Sequence, residues 1–145
     1  MPRYKKILVS VDLFNASEQV AVAGRDLAAS FGASVVMLHV VEHLPVEPLP
    51  LGDSLMPTAR IERDLLERSR DKLKQLVTRM GLEQGVARVE AGNTKAEILR
   101  VAREEVADLI VLGSRERRGP GILLNLTEDT ILHAARCDVL AIRLK

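Results

Sequence analysis

Hydrophobic residues along the chain alternate between two kinds of pattern. Lys5-Lys6-Ile7-Leu8-Val9-Ser10-Val11-Asp12 and Ser34-Val35-Val36-Met37-Leu38-His39-Val40-Val41 are near-continuous apolar runs rich in β-branched residues. Such runs suit strands buried on both faces of a parallel sheet. Between them Val20, Gly24, Leu27, Ala28 and Phe31 recur at helical spacing, behind Asn15 with Glu18 three residues on as a start signal, and the helix ends near Gly32. Between His43 and Thr58 fall Pro45, Pro48, Pro50, Gly52, Asp53 and Pro57, a density that forbids a regular helix or a central strand. Ile61, Leu65, Leu66, Leu73, Leu76, Val77 and Met80 then trace one face of a long charged helix that stops at Gly81.

Val86 to Glu90 reads as a short strand. Thr94-Lys95-Ala96-Glu97 reads as a capping box that starts a helix running to about Glu105, with Ile98, Leu99, Ala102 and Val106 on its apolar face. Asp108 to Gly113 is a buried strand, Ile122 to Ala135 a helix, and Asp138 to Arg143 a closing strand. Five strands alternating with four helices predict an α/β fold: an open parallel sheet with right-handed crossovers and helices on both faces. No repeat or linker divides residues 1–145, so one domain is expected.

Composition narrows the function classes. At 145 residues and 47% hydrophobic, the chain can bury a single layered core without disulfides or a structural metal. Its 21 Lys and Arg against 20 Asp and Glu give a formal charge of +1, so no global field draws in nucleic acid or an anionic membrane. Tyr4, Phe14 and Phe31 are the only aromatics, too few for base-stacking platforms. No apolar stretch approaches the roughly 20 residues that span a bilayer, and Met1 to Lys6 carry no signal-like apolar run. With Cys137 as its one cysteine, the chain is expected in a reducing, cytoplasmic compartment.

In an open parallel sheet, ligands sit outside the carboxyl ends of the strands where strand order reverses. That edge collects Asp12, Val40 to His43, and the loop Gly113-Ser114-Arg115-Glu116-Arg117-Arg118-Gly119-Pro120-Gly121. Glycines and arginines between a buried strand and a helix start are where backbone N–H groups receive phosphate; the same residues also serve as a plain turn with a solvated charge run. Asp12 suits a ribose hydroxyl or a metal-bound phosphate, or a helix-entry cap. His39 and His43 lie on a strand running into a loop, where a four-residue spacing does not set them side by side as metal ligands. His133 fits a helix C-terminal dipole contact, and Cys137 a small core residue rather than a nucleophile. The chain has no Walker-type phosphate loop, no dinucleotide-binding glycine fingerprint, no nucleophile elbow and no zincin motif. No enzyme machinery and no metal site are therefore expected.

The chain as a whole resembles the universal stress protein family. Tyr4 to Asp12, Leu38 to Val41, Ala107 to Arg115 and Cys137 to Arg143 carry the likeness. The resemblance implies the strand order 3-2-1-4-5 and a homodimer built by the last strand, here Val139, Leu140, Ala141 and Ile142, pairing with its mate. Nucleotide-binding members carry G-x2-G-x9-G followed by Ser or Thr after strand 4. Here Gly113 matches the first glycine, Glu116 replaces the second, and no glycine follows Gly121; the last element falls within Leu124 to Thr127 and is lost. A carboxylate at Glu116 repels phosphate. The expectation is a non-catalytic, dimeric stress-response module that works through unidentified protein partners, without ATP as a cofactor. The alternative is a nucleotide-binding sensor in which Asp12, Val40, Gly113, Ser114 and Arg115, with Asn125, Leu126 and Thr127 at the next helix, still hold adenine nucleotide. Pyrophosphate-releasing chemistry is not expected, because Ser10-Val11-Asp12-Leu13 stands where a related hydrolase class carries S-G-G-x-D.

Overall fold

The structure, a computed structural model, describes residues 3–13, 17–42, 58–115 and 126–144. Five parallel strands, β1 (Lys6–Ser10), β2 (Ser34–Glu42), β3 (Ala87–Gly92), β4 (Leu109–Arg115) and β5 (Asp138–Leu144), form one sheet in the order β3-β2-β1-β4-β5. Helices α1 (Ser17–Phe31), α2 (Thr58–Arg79), α3 (Thr94–Glu104) and α4 (Leu126–Ala134) follow the first four strands, with a 3-10 turn at Gln84–Val86 before β3. The alternating apolar periods of the chain thus become the five-stranded, doubly covered sheet that they predict. Strand and helix limits differ from the reading of the sequence by a few residues: β1 is shorter at both ends, and β3 and β5 run further. The proline-rich loop at 43–57, Asn15 and the glycine-arginine loop from Glu116 to Gly121 lie outside the described residues.

The pleat explains why the strands read as unbroken apolar runs. Ile7, Val9, Val11, Val35, Met37, Leu109 and Val111 face α1 and α2, where Val20, Ala21, Ala28, Leu73, Leu76 and Val77 complete one buried cluster. The alternate residues Leu8, Val36, Leu38, Val40, Ile110 and Leu112 face α3 and α4 and pack on Ile98, Val101, Ala102 and Ile131. Neither face of the central strands meets water, so no polar alternation survives.

Two close approaches set the α1 side. A Cβ at Gly24 would lie 2.4 Å from Val9 Cγ2, and one at Gly113 would lie 2.9 Å from Leu144 Cδ1 and 3.1 Å from Val20 Cγ2. Gly24 brings the α1 backbone onto the central strand, and Gly113 lets α1 and β5 close over β4. The strand starts are tied by side chains. The Asp108 carboxylate accepts the Lys5 and Lys6 backbone N–H groups at 2.8 and 3.1 Å. Asp138 accepts the Tyr4 hydroxyl at 2.8 Å and an Arg3 N–H at 3.0 Å, while the Tyr4 ring stands edge-on to Phe31.

One local expectation is corrected. The α3 cap is Asn93, not Thr94: Asn93 Oδ1 accepts the Ala96 N–H at 3.0 Å. Thr94 is already helical, and its hydroxyl donates to Glu42 Oε1 at 2.7 Å. Asn93 has the extended backbone that a cap needs, and the tether to the end of β2 takes the threonine hydroxyl away from capping. The Glu18 carboxylate pairs with Arg79 of α2 at 3.0 Å, and Asn15, its expected partner at the start of α1, lies outside the described residues.

Candidate functional site

The chain runs from β1 through β2 to β3 on one side of the sheet and resumes with β4 and β5 on the other. Strand order therefore reverses between β1 and β4, and a parallel sheet opens a crevice at the carboxyl ends of those strands. Beside that crevice, at the carboxyl ends of β1 and β2, the structure has a cavity of about 370 Å³. Val11 and Asp12 form its β1 side, and His39, Val40, Val41 and Glu42 its β2 side. Leu65 and Ser69 reach it from α2, and Thr94 from the start of α3.

Asp12 and Val40, placed far apart in sequence, meet at this cavity. Asp12 is exposed while Val11 and Val40 are buried, so the cavity has an apolar floor and a carboxylate at its open end. Val11 stays tied to β2 through its N–H, which donates to the Leu38 carbonyl at 2.9 Å. This bond carries the β1 backbone past its last sheet residue and holds Asp12 at the cavity.

His39 is 6% exposed, and its Nδ1 lies 3.0 Å from the Val11 carbonyl. A carbonyl only accepts, so Nδ1 carries the proton and donates. The imidazole thereby joins β2 to the segment after β1 and positions Asp12. His43 lies outside the described residues, and among the described residues no three His, Cys, Asp or Glu side chains gather as a metal ion requires.

Ser69 was not among the residues singled out from the sequence, and Thr94 was read there only as a helix cap. Ser69 is 2% exposed and occupies the stripe Leu65-Ser69-Leu73 on the buried face of α2. A small polar residue inside an apolar helical stripe was the available signal, since it leaves space where a leucine would fill it.

The remaining predicted residues belong to the β4 side. Gly113 and Ser114 are half-buried near the end of β4, and neither lines the cavity. The space beside Gly113 is taken by Val20 and Leu144, so packing by itself favours a small residue there. Arg115 ends β4, Leu126 and Thr127 open α4, and Asn125 lies outside the described residues. Cys137 is a half-buried free thiol. Burial, with Asp138 and Asp108 nearby, pushes its pKa up and keeps it protonated.

Comparison with known proteins agrees with this architecture. The family model described as "Universal stress protein family" matches residues 3–143. Universal stress protein A homolog 2 of Coxiella burnetii is 33% identical over 146 residues, covering 100% of this chain and 99% of the relative. Among solved structures, universal stress protein UspA from Lactobacillus plantarum superimposes with a TM-score of 0.76 at 23% identity, over 97% of this chain and 99% of that one. A universal stress protein solved in complex with cAMP matches with a TM-score of 0.58 at 16% identity, over 97% of each chain.

Proposed function

The chain belongs to the universal stress protein family, and from that premise we propose that it serves a stress response as a non-catalytic homodimer joined along β5. The observation that carries this reading is the contrast between the two edges of the sheet. Among the described residues β5 pairs only with β4. Val139 and Ile142 are half-buried and Leu140 and Ala141 exposed, Leu140 to 37%. An apolar strand with one row of unpaired backbone groups is a template for a second strand, and a two-fold axis across it gives a closed, self-complementary contact.

The other edge is guarded. On β3, Arg88 pairs with Glu90 at 2.7 Å, with Glu104 of α3 and with Glu105 just after it, and Arg100 links Glu90, Glu97 and Glu104. Charges along an edge oppose strand addition, which leaves β5 as the edge for a partner. Leu140→Lys places a charge on β5 without removing the strand. Sedimentation velocity should then show a monomer where the parent sediments as a dimer; a dimer in both discards the β5 contact.

A second reading rests on the cavity. Its position beside the switch point, at the ends of β1 and β2 with Asp12 and Val40 on its walls, suits the adenine and ribose of a nucleotide, and one structural neighbour holds cAMP. The phosphate end departs from the binding pattern at Glu116. A nucleotide held by its nucleoside half binds adenosine about as tightly as ATP. Calorimetry of nucleotide-stripped protein separates the cases: equal affinities support retention of the nucleoside half, a marked preference for ATP with Mg²⁺ supports a working phosphate site in Gly113, Ser114, Arg115, Asn125, Leu126 and Thr127, and no heat at millimolar ligand leaves the dimer module alone.

A further inference from the structure

At the opposite end of the sheet, where the chain enters β4 and β5, a second cavity of about 300 Å³ lies between the C-terminal ends of α3 and α4. That volume is at the small end of pockets that hold ligands. Leu99, Ala102, Ile110 and Ala135 give it apolar walls, and Cys137 lies among them. Its neutral, protonated thiol adds no charge.

Two features at the cavity have no explanation in the packing of the fold. The first is Val106. Helices α1, α2 and α3 end alike: the N–H groups of Ala33, Leu82 and Ala107 bond back to Ala28, Val77 and Ala102. In α1 and α2 the residue before that donor is a glycine with positive φ, Gly32 at 64° and Gly81 at 73°; in α3 it is Val106, at 53°. A β-branched residue in this region is strained, and glycine is the ordinary occupant. The valine side chain is nevertheless 79% exposed and lines the cavity. Strain held in place of glycine, for an apolar group standing in water, points to something that the group touches.

The second feature is charge. Arg103 and Arg136 also line the cavity, both are exposed, and neither forms an ion pair with a described residue. Arginines suit helix C-termini in general. The last carbonyls of α3, however, are already engaged: those of Val101, Ala102 and Arg103 accept the N–H groups of Glu105, Ala107 and Val106. Among the described residues the guanidinium donors of Arg103 and Arg136 have no partner.

We propose that this cavity binds a small amphipathic anion, an alkyl or acyl carboxylate whose tail enters between α3 and α4 under Val106 and whose head group meets Arg103 and Arg136. Sodium decanoate, kept below its micellar range, is the probe, with decanol as its uncharged counterpart. Cys137 is the one cysteine of the chain and reports occupancy through its rate of modification by an aromatic disulfide reagent.

The expected result is saturable decanoate binding in calorimetry, with slowed modification of Cys137. Replacing both arginines by glutamine should weaken decanoate by about tenfold or more and leave decanol unchanged. Val106→Gly should weaken both probes while raising the melting temperature, a pairing that general unfolding cannot produce. Absence of saturable binding and of thiol protection overturns the proposal. So does decanoate binding that is indifferent to the arginine pair, or that survives Val106→Gly unchanged, since either places the probe elsewhere.

Discussion

The approach of α1 to the central strand makes Gly24→Ala the most informative single change. Elsewhere in a helix this substitution stabilises by about 1 kcal/mol, because alanine restricts the unfolded chain and favours the helix. Here the new methyl group would sit 2.4 Å from Val9 Cγ2 and 3.0 Å from Cγ1. Val9 is fully buried in β1 between β2 and β4, and a β-branched side chain has no second comfortable rotamer to adopt. Either α1 lifts or the sheet yields, and overpacking of this kind costs about 3 kcal/mol at the upper end of its range. Subtracting the propensity gain leaves a net loss of about 2 kcal/mol, or roughly 6 °C in melting temperature for a chain of this length.

Val9→Ala alone leaves a void and should cost about 2 kcal/mol. In the double variant the methyl group introduced on α1 occupies part of that void, so the combined loss falls well below the sum, with a favourable coupling of about 2 kcal/mol. Urea titrations of the four proteins, read by helical circular dichroism, close the cycle. If Gly24→Ala stabilises, or the two losses simply add, the close packing of α1 on Val9 is wrong.

Other consequences are open to test. Val106→Gly relieves left-handed strain at a residue whose side chain is mostly solvated, and should raise stability by about 1 kcal/mol in the same titration. Asn93→Ala removes the α3 cap and should cost about 1 kcal/mol, whereas Thr94→Ala leaves the cap intact; a larger loss at Thr94 would restore the capping box expected from the sequence. Hydrogen bonds from Arg88 and then Arg100 hold the Glu104 carboxyl below its ordinary value, Lys6 does the same for Glu105, and the Tyr4 hydroxyl followed by Arg3 does so for Asp138. Groups lowered in the folded state stabilise it above their unfolded pKa values, and that contribution fades as pH falls through about 4 toward the lowered values. Glu104→Gln should therefore flatten the acid side of a melting-temperature profile; an unchanged slope would show that the Arg88 and Arg100 contacts are not kept in solution.

The sequence alone was enough to determine the elements and the layering. Unbroken apolar runs and period-3.6 apolar patterns report which faces are dry, and here the central strands are dry on both sides, as a covered parallel sheet provides. The order of strands in space was not in the periodicity, which is the same whichever strand neighbours which; it came with the family likeness, and the β1 and β4 pairing bears it out. Asp12 and Val40 were legible because strand ends in such a sheet are marked by where the apolar run stops. Ser69 and the buried donor role of His39 were not, since a residue on α2 and one within β2 meet the cavity only after two crossovers fold back. The α3 cap moved by one residue because Thr94 has a tertiary partner, Glu42, that no local pattern contains. Gly24 reads in sequence as a poor helix residue and Val106 as part of a helical apolar face. Only the packed structure shows that the first gives room to Val9 and that the second holds a left-handed turn, because clearance and backbone sign are set by what lies across the contact rather than by the neighbours in the chain.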